Sequence, residues 1–337
     1  MTDQFTEFHD ELRAVAAEVL AKDRTVDWPV LADAGWVGLE VADEFGGAGA
    51  SFGEVAVICS EMGRAATASS YLGGAVLGVG ALNAVQPDAA RDDLLTAVAA
   101  GAERTALVLG PFTFTGGRLT GRAEFVPDAS GADRLLVLAT DSDGTPVLTA
   151  TAAATVTAQP VLDETRRLAV VCAEDSGVEA VWRFAGDPRA AARRLADRAA
   201  VAVAIDSLGL AEAMLSATVS YAKVRHQFGR PIGSFQAVKH ACADMQVQIT
   251  VARQLVGRAV AALCDPDSDD TAAAAAMAKS FVCSAAVEVV GKAMQLHGGI
   301  GYTWESGVHV YLKRATLNRA LYGSPAAHRS QLVSRYR

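Results

Sequence analysis

Apolar residues recur at helical spacing toward both ends of the chain, with short runs of strand formers between them. Phe5, Phe8, Leu12, Val15 and Val19 fall three or four apart, which predicts a helix with one apolar face. Trp28-Pro29 opens a second, short helix that Gly35-Trp36-Val37-Gly38-Leu39 ends. Phe45 to Ser51 is a glycine-rich loop. Ser51 is placed to cap the next helix, with Glu54 completing a capping box, and that helix runs through Val57, Ile58, Met62 and Gly63.

From about Glu103 the pattern changes. Thr105 to Leu109, Leu135 to Ala139, Ala169 to Cys172 and Val178 to Phe184 are strand formers, punctuated by Gly116-Gly117, Ser130-Gly131, Asp143-Gly144 and Ser176-Gly177. Thr149 to Ala158 reads as loop and strand. This predicts a small β domain whose strand order the sequence leaves open. At Asp187-Pro188, an aspartate cap before a first-turn proline, helix resumes and continues to about Arg225. Gly229 and Pro231 break it. Ser234 is placed to cap a second helix reaching Leu263, and Asp270 a third that stops at Gly298-Gly299. A fourth runs from about Ser306 to Leu321, and Ser324-Pro325 starts a last short one. Long apolar helices in series predict a bundle, with faces apolar enough to be covered by another subunit. The expected organisation is mostly α with a small β domain: an N-terminal helical domain (1–102), a reduced middle β domain (103–186) and a C-terminal four-helix-bundle domain (187–337).

Composition narrows the class. Half of the 337 residues are hydrophobic, 51%, and much of that is alanine and valine, which suits closely packed helices. The net charge of −8, with no basic stripe, disfavours nucleic acid. The five cysteines form no CxxC pair, which predicts a reduced, cytoplasmic protein without a disulfide framework or zinc site. The acidic start and the lack of a long uninterrupted apolar run predict neither signal peptide nor membrane span. His226, His240 and His297 have no carboxylate at ligand spacing and are not expected to bind metal.

Two segments carry the chemistry. One is Tyr221-Ala222-Lys223-Val224-Arg225-His226-Gln227-Phe228-Gly229-Arg230-Pro231-Ile232, followed by Ser234-Phe235-Gln236; the other is Gln295-Leu296-His297-Gly298-Gly299-Ile300-Gly301-Tyr302. Alone, Arg225 reads as a charge at a helix end, and Gly298-Gly299 as a helix C-cap. Together, and in this order, they resemble the two C-terminal signatures of the acyl-CoA dehydrogenase family. Leu31 to Leu39, Asp43-Glu44-Phe45-Gly46-Gly47 and Glu61-Met62-Gly63-Arg64 resemble that family's N-terminal helical domain. The resemblance implies FAD as cofactor. Arg225 would grip the pyrophosphate through its forked guanidinium. Phe228 would pack near the adenosine-diphosphate half, with Gln227 beside it in the cofactor-binding set. Gln236 matches the family glutamine of the next helix, Gln295 would bond, and Gly298 and Gly299 would let backbone approach phosphate closely. In the family these residues reach the flavin of a neighbouring subunit.

The chain also departs from the family. The usual catalytic glutamate lies in a Tyr-Glu-Gly-Thr segment, and here Leu321-Tyr322-Gly323-Ser324 puts Tyr322 at that position. A phenol with an ordinary pKa of about 10 is a poor base at neutral pH. At the family's other glutamate position stand Asp197-Arg198-Ala199-Ala200, which leaves Asp197 as a weak candidate or, like Arg193, Arg194 and Arg198, a solvated charge. The loop that holds the flavin ring is replaced by Leu109-Gly110-Pro111-Phe112-Thr113-Phe114-Thr115, and the flanking tryptophan segment by Glu124-Phe125-Val126-Pro127-Asp128.

The resemblance implies α,β-desaturation of an acyl-CoA thioester: a carboxylate takes the α-proton, hydride goes to flavin, and electrons pass on to an electron-transfer flavoprotein. The gaps are similar to those of short degenerate subunits that pair with a full-length acyl-CoA dehydrogenase chain in steroid- and branched-acyl-CoA catabolism. Three readings stand: a flavin-sharing subunit of a heteromer whose partner supplies the glutamate, a self-sufficient homo-oligomer with an unusual base such as Asp197, or a non-catalytic scaffold descended from the family.

Overall fold

A computed structural model describes residues 2–335. Its helices are α1 (Thr2–Leu20), α2 (Trp28–Asp33), α3 (Phe52–Ala65), α4 (Val79–Asn83), α5 (Ala89–Ala99), α6 (Pro188–Val224), α7 (Gln236–Cys264), α8 (Thr271–His297), α9 (Val308–Ala320) and α10 (Pro325–Arg335). The strands are β1 (Thr105–Thr115), β2 (Arg118–Pro127), β3 (Arg134–Asp141), β4 (Pro146–Thr151), β5 (Thr155–Gln159), β6 (Leu168–Gly177), β7 (Ala180–Trp182), and the short β8 (His226–Gln227) and β9 (Arg230–Pro231). They assemble into two compact units that do not follow chain order. One takes residues 1–24, 56–67 and 200–337, the other residues 25–55 and 68–199.

In the second of these units a seven-stranded sheet has the order β5-β6-β2-β1-β3-β4-β7. The β1–β3 pair is parallel and its neighbours are antiparallel, so the sheet is mixed. The four predicted strand runs fall in β1, β3, β6 and β7. Two further strands, β4 and β5, come from the Thr149 to Ala158 region and just before it. β2 was not foreseen, because Arg118, Arg122 and Glu124 interrupt its apolar positions. One sheet face is covered by its own core of Ala106, Val108, Phe112, Leu119, Val126, Val137 and Val171. Residues Leu72–Gly78 wind as a wholly buried π-helix. It is tied down by Asp128, whose Oδ2 accepts the Gly73 N–H at 2.7 Å.

In the bundle unit, α8 is buried along most of its length. Both α6 and α8 are long and apolar enough to cross a membrane by length and composition, but 83% and 72% of their most apolar stretches are buried inside the protein, as in core helices. On α1 the side chain of Phe5 lies outside the described residues. Phe8 and Val15 are about half exposed, whereas Ala16 and Leu20 are buried, so the inward stripe of α1 is narrower than its sequence predicts. The capping box forms as expected: the Ser51 Oγ accepts from the Gly53 N–H at 3.0 Å, and Glu54 Oε2 accepts the Ser51 N–H at 2.8 Å. So does the cap at Asp187, whose Oδ1 accepts the Arg189 N–H at 2.8 Å, but the caps predicted at Ser234 and Asp270 do not. Ser234 Oγ donates to the Pro231 carbonyl at 2.7 Å, and the Asp270 carboxylate takes the Arg258 Nε–H at 2.9 Å. In each case a nearer or charged partner outcompetes the helix amides.

Below the α6–α9 contact lies a buried polar network. Asp206, on α6 and 3% exposed, accepts from Arg314 Nε at 3.0 Å, pairs a second time with Arg314 Nη2, and accepts from Asn318 Nδ2 at 2.6 Å. Arg314 Nη1 donates to the Thr67 carbonyl at 2.5 Å. Where α3 crosses α6 the backbones touch: a Cβ on Gly63 would stand 2.1 Å from the Asp206 carbonyl oxygen, and one on Gly209 2.2 Å from that of Ser60.

Candidate functional site

Helix α6 ends at Val224 and turns at once into the two-residue hairpin β8–β9, with His226 opposite Pro231 and Gln227 opposite Arg230. The two residues at its tip, Phe228 (φ +54°) and Gly229 (φ +78°), both have positive φ, the geometry of a type I′ turn. Backbone bonds seat the hairpin on the helix end: Ile232 N–H donates to the Arg225 carbonyl at 2.7 Å, and Arg225 N–H to that of Tyr221 at 2.9 Å. Gly233 lies so close to the Ala222 carbonyl that a Cβ would be 2.9 Å from its oxygen. Arg230 stacks over the Phe235 ring at 4.1 Å, and Phe228 meets the same ring edge-on at 6.1 Å. Arg230 is exposed but engaged with Phe235, while Arg225 and Gln227 are exposed as well and Phe228 keeps 91% of its surface open.

The second signature arrives at the same end of the bundle. The Tyr221 ring on α6 stacks on His297 at the end of α8, centroids 4.6 Å apart and planes 17° from parallel. Gln236, the first residue of α7, and Gln295, in the last turn of α8, are both exposed. Lys292 Nζ donates to Gln295 Oε1 at 3.3 Å. Gly298 takes φ +63° and ψ −144°, a region that glycine alone occupies without strain. Gly299 is different: its φ is ordinary, and an added Cβ would meet nothing within 4 Å. Neither conformation nor packing within the chain asks for glycine there, which suits a backbone that must lie open to a phosphate-bearing group. The residues inferred from sequence, Arg225, Gln227, Phe228, Gln236, Gln295, Gly298 and Gly299, therefore gather at one end of the bundle. As a donor set, one guanidinium, three amides and open backbone fit the diphosphate half of FAD.

The ring half does not fit this chain's own sheet. Leu109 to Thr115 form no cradle of free hydroxyls and amides. They are a bulged strand, its register shifting between Leu109 and Phe112. The Phe112 ring is 2% exposed and lies over two glycine backbones, so that a Cβ on Gly110 would be 3.2 Å and one on Gly121 2.6 Å from it. Thr113 spends its hydroxyl on the Thr120 carbonyl at 3.3 Å. Phe125, in the place of the flanking tryptophan, has φ +55° and is tied by its N–H to Gln159 Oε1 at 2.8 Å.

Neither base position carries an accessible glutamate. Tyr322 is half-buried with φ +57° in the turn after α9. Asp197 is half-buried on α6, and burial pushes its carboxyl up to about 6, against the smaller opposing pull of Arg193 and Arg194. A carboxylate whose folded pKa is raised stabilises the fold fully below the unfolded value, and that contribution is lost as pH rises through the folded one. Asp197→Asn is therefore expected to be more stable than the parent at pH 7.5, by up to about 3 kcal/mol, and equal to it near pH 4. Urea denaturation at both pH values checks this, and a parallel pH dependence in the two proteins would contradict it.

Two residues of the region had no strong sequence signal. Arg198, expected as a solvated charge, is buried. Its Nε donates to the Val76 carbonyl at 2.7 Å and its Nη1 to Glu40 Oε1 at 3.1 Å, and it lies 4.4 Å over the Phe52 ring. Gly80 leaves room for it, since a Cβ there would sit 2.5 Å from its Nε. Lys279, in an alanine-rich stretch of α8, has no exposed surface at all. Among the described residues no three His, Cys, Asp or Glu side chains gather as a metal site.

Comparison with known proteins gives a consistent answer. Residues 1–102 match the acyl-CoA dehydrogenase N-terminal domain and residues 186–336 the C-terminal domain. The chain is 36% identical over 318 residues to acyl-CoA dehydrogenase IpdE2 of Mycobacterium tuberculosis, spanning 93% of this chain and 88% of that one. Among solved structures it is similar to the Tcur3481-Tcur3483 steroid ACAD, with a TM-score of 0.87 and 28% identity over 98% of this chain and 97% of that one. It also shares the fold of a chain in the ChsE4-ChsE5 complex from Mycobacterium tuberculosis, with a TM-score of 0.85 and 22% identity over 97% and 96%.

Proposed function

Because the chain belongs to the acyl-CoA dehydrogenase family, we propose that it is the flavin-sharing subunit of a heteromeric acyl-CoA dehydrogenase. The observation that carries this is the mismatch between the two halves of the site. Everything suited to a dinucleotide diphosphate is exposed at one end of the bundle, while the strand that should cradle the ring is packed shut over Phe112. Such a chain can hold a cofactor only together with another chain that supplies the ring site.

In this reading Arg225 offers forked donors to phosphate oxygens, and Gly298 and Gly299 leave backbone uncovered for close approach. Phe228 gives an apolar face, and Gln227, Gln236 and Gln295 orient the nucleotide through their amides. FAD, when bound, supplies the hydride acceptor for the β-hydrogen of the acyl-CoA. A carboxylate of a full-length acyl-CoA dehydrogenase partner takes the α-proton, and electron-transfer flavoprotein receives the electrons. A bulky, steroid-derived acyl group suits this reading, since one similar solved structure is called a steroid ACAD. Five cysteines without a CxxC pair suit the reduced, cytoplasmic setting of this reading.

Asp197 favours a second reading, a self-sufficient enzyme, since a carboxyl held near neutrality by burial is tuned as a general base. The visible spectrum of the purified chain separates the two. Little flavin on the chain alone, rising to about half per chain on co-expression with a full-length family partner, is the expected result. About one flavin per chain without any partner would sink the shared-site reading, and turnover lost in Asp197→Asn with flavin retained would put the base here.

A further inference from the structure

The turn that closes α9 is held by buried charge. Lys279 Nζ, fully enclosed, donates to the carbonyls of Asn318 at 2.8 Å, Gly323 at 2.9 Å and Arg319 at 3.2 Å. An ammonium has three donors, and all three are used. Asn318 and Arg319 belong to the last turn of α9, whose carbonyls have no partner within the helix, and a cation there also complements the negative end of the helix dipole. From α10, His328 Nε2 donates to the Tyr322 carbonyl at 2.9 Å, and its ring packs so tightly on Gly323 that a Cβ there would stand 2.9 Å from Nε2.

Between these two pins sit Tyr322 at φ +57° and Gly323 at φ +98°. For tyrosine the left-handed region is strained and persists only where the surroundings enforce it. Nothing about packing α8 requires a charge at 279. Its neighbours along the helix are mostly small and apolar, burial lowers the Lys279 pKa, and a methionine would fill similar space without the penalty of enclosing an ion. Beside an interaction with the Cys283 thiol one turn along α8, what the ammonium adds is the three bonds to the turn.

We propose that Lys279 is a positioning residue: its ammonium enforces the left-handed backbone at Tyr322 and so fixes a phenol ring, as a rigid wall, where the family carries its catalytic glutamate. The functional part rests on the reading of this turn as the family's base segment. Residue 322 then acts on a bound acyl group by shape and not by proton transfer, and the scaffold of the base position outlives the base.

Hydrogen exchange on the chain co-purified with its partner tests the clamp without any appeal to activity. Lys279→Met is expected to speed exchange of the amides from Asn318 to Ser324 by about tenfold or more while β1 and β3 stay protected. Adding Tyr322→Gly is expected to recover most of that protection, because glycine takes φ near +57° without being forced. Unchanged exchange in Lys279→Met overturns the proposal. So does a loss that Tyr322→Gly leaves untouched, since that marks a buried charge with only a general structural role. If Lys279→Met does not fold, the double variant is expected to, and its failure also overturns the proposal. The flavin-to-chain ratio of the same samples reports separately on the shared-site reading, so the two can fail independently.

Discussion

Asp206→Ala is expected to cost the bundle about 3–5 kcal/mol, a large part of the stability of an ordinary domain. The carboxylate is 3% exposed and its partner Arg314 1% exposed. It holds the guanidinium through two contacts and takes the Asn318 amide besides, while Arg314 reaches on to the Thr67 carbonyl. Truncating it strands a guanidinium in an apolar interior, where the desolvation it suffered on folding is no longer offset by an opposite charge. The contrast is the informative part. Asp206→Leu combined with Arg314→Met removes both charges and is expected to be far milder than the single loss, within about 1–2 kcal/mol of the parent. Equilibrium denaturation of the three proteins decides it. A single loss below about 1 kcal/mol would mean that water reaches the pair and the network is not the buried clamp described.

Arg225→Ala is expected to strip the complex of most of its flavin. A charge-assisted, forked contact to phosphate contributes about 1.5–3 kcal/mol, or roughly tenfold to a hundredfold in affinity. Arg225 is exposed at the end of α6 with its backbone already engaged, so its removal leaves the hairpin intact. Arg230→Ala is the matched control, because that guanidinium lies over Phe235 within the chain. The flavin-to-chain ratio after gel filtration should fall for Arg225→Ala and hold for Arg230→Ala. Equal ratios in both would remove Arg225 from the cofactor site and favour the scaffold reading.

Local signals explain most of what the sequence revealed. Helix boundaries came within a few residues because Pro188, Gly229, Pro231, Gly298 and Pro325 break or start helices by their own backbone chemistry. The Arg225 segment and the glycine pair were recognisable because each motif is contiguous, while the hairpin that the first one forms was not read from the sequence. What stayed hidden depends on partners distant in sequence. Lys279 meets carbonyls about forty residues away, and Arg198 meets Val76 and Glu40. A lone charge inside an alanine run gives no hint of either. The cap foreseen at Asp270 failed for the same reason, since Arg258 competes for the aspartate from another helix, whereas Ser234 was lost to a local partner, the Pro231 carbonyl three residues before it. β2 was missed because its charged positions look like loop until its neighbours in the sheet are known.

The interleaving of the two units bears on how the chain is made. The bundle unit needs residues 1–24 and 56–67, which leave the ribosome early, and residues 200–337, which leave last. At synthesis rates of about 5–20 residues per second, the early segments wait roughly ten seconds or more for their partners. During that time the Gly63 face of α3, shaped to lie against the α6 backbone, has nothing to close on. The apolar length of α6 then emerges before α8 and α9 can cover it. Such a chain favours release into a chaperone's hands over domain-by-domain folding, and shortening it from either end removes part of the same core.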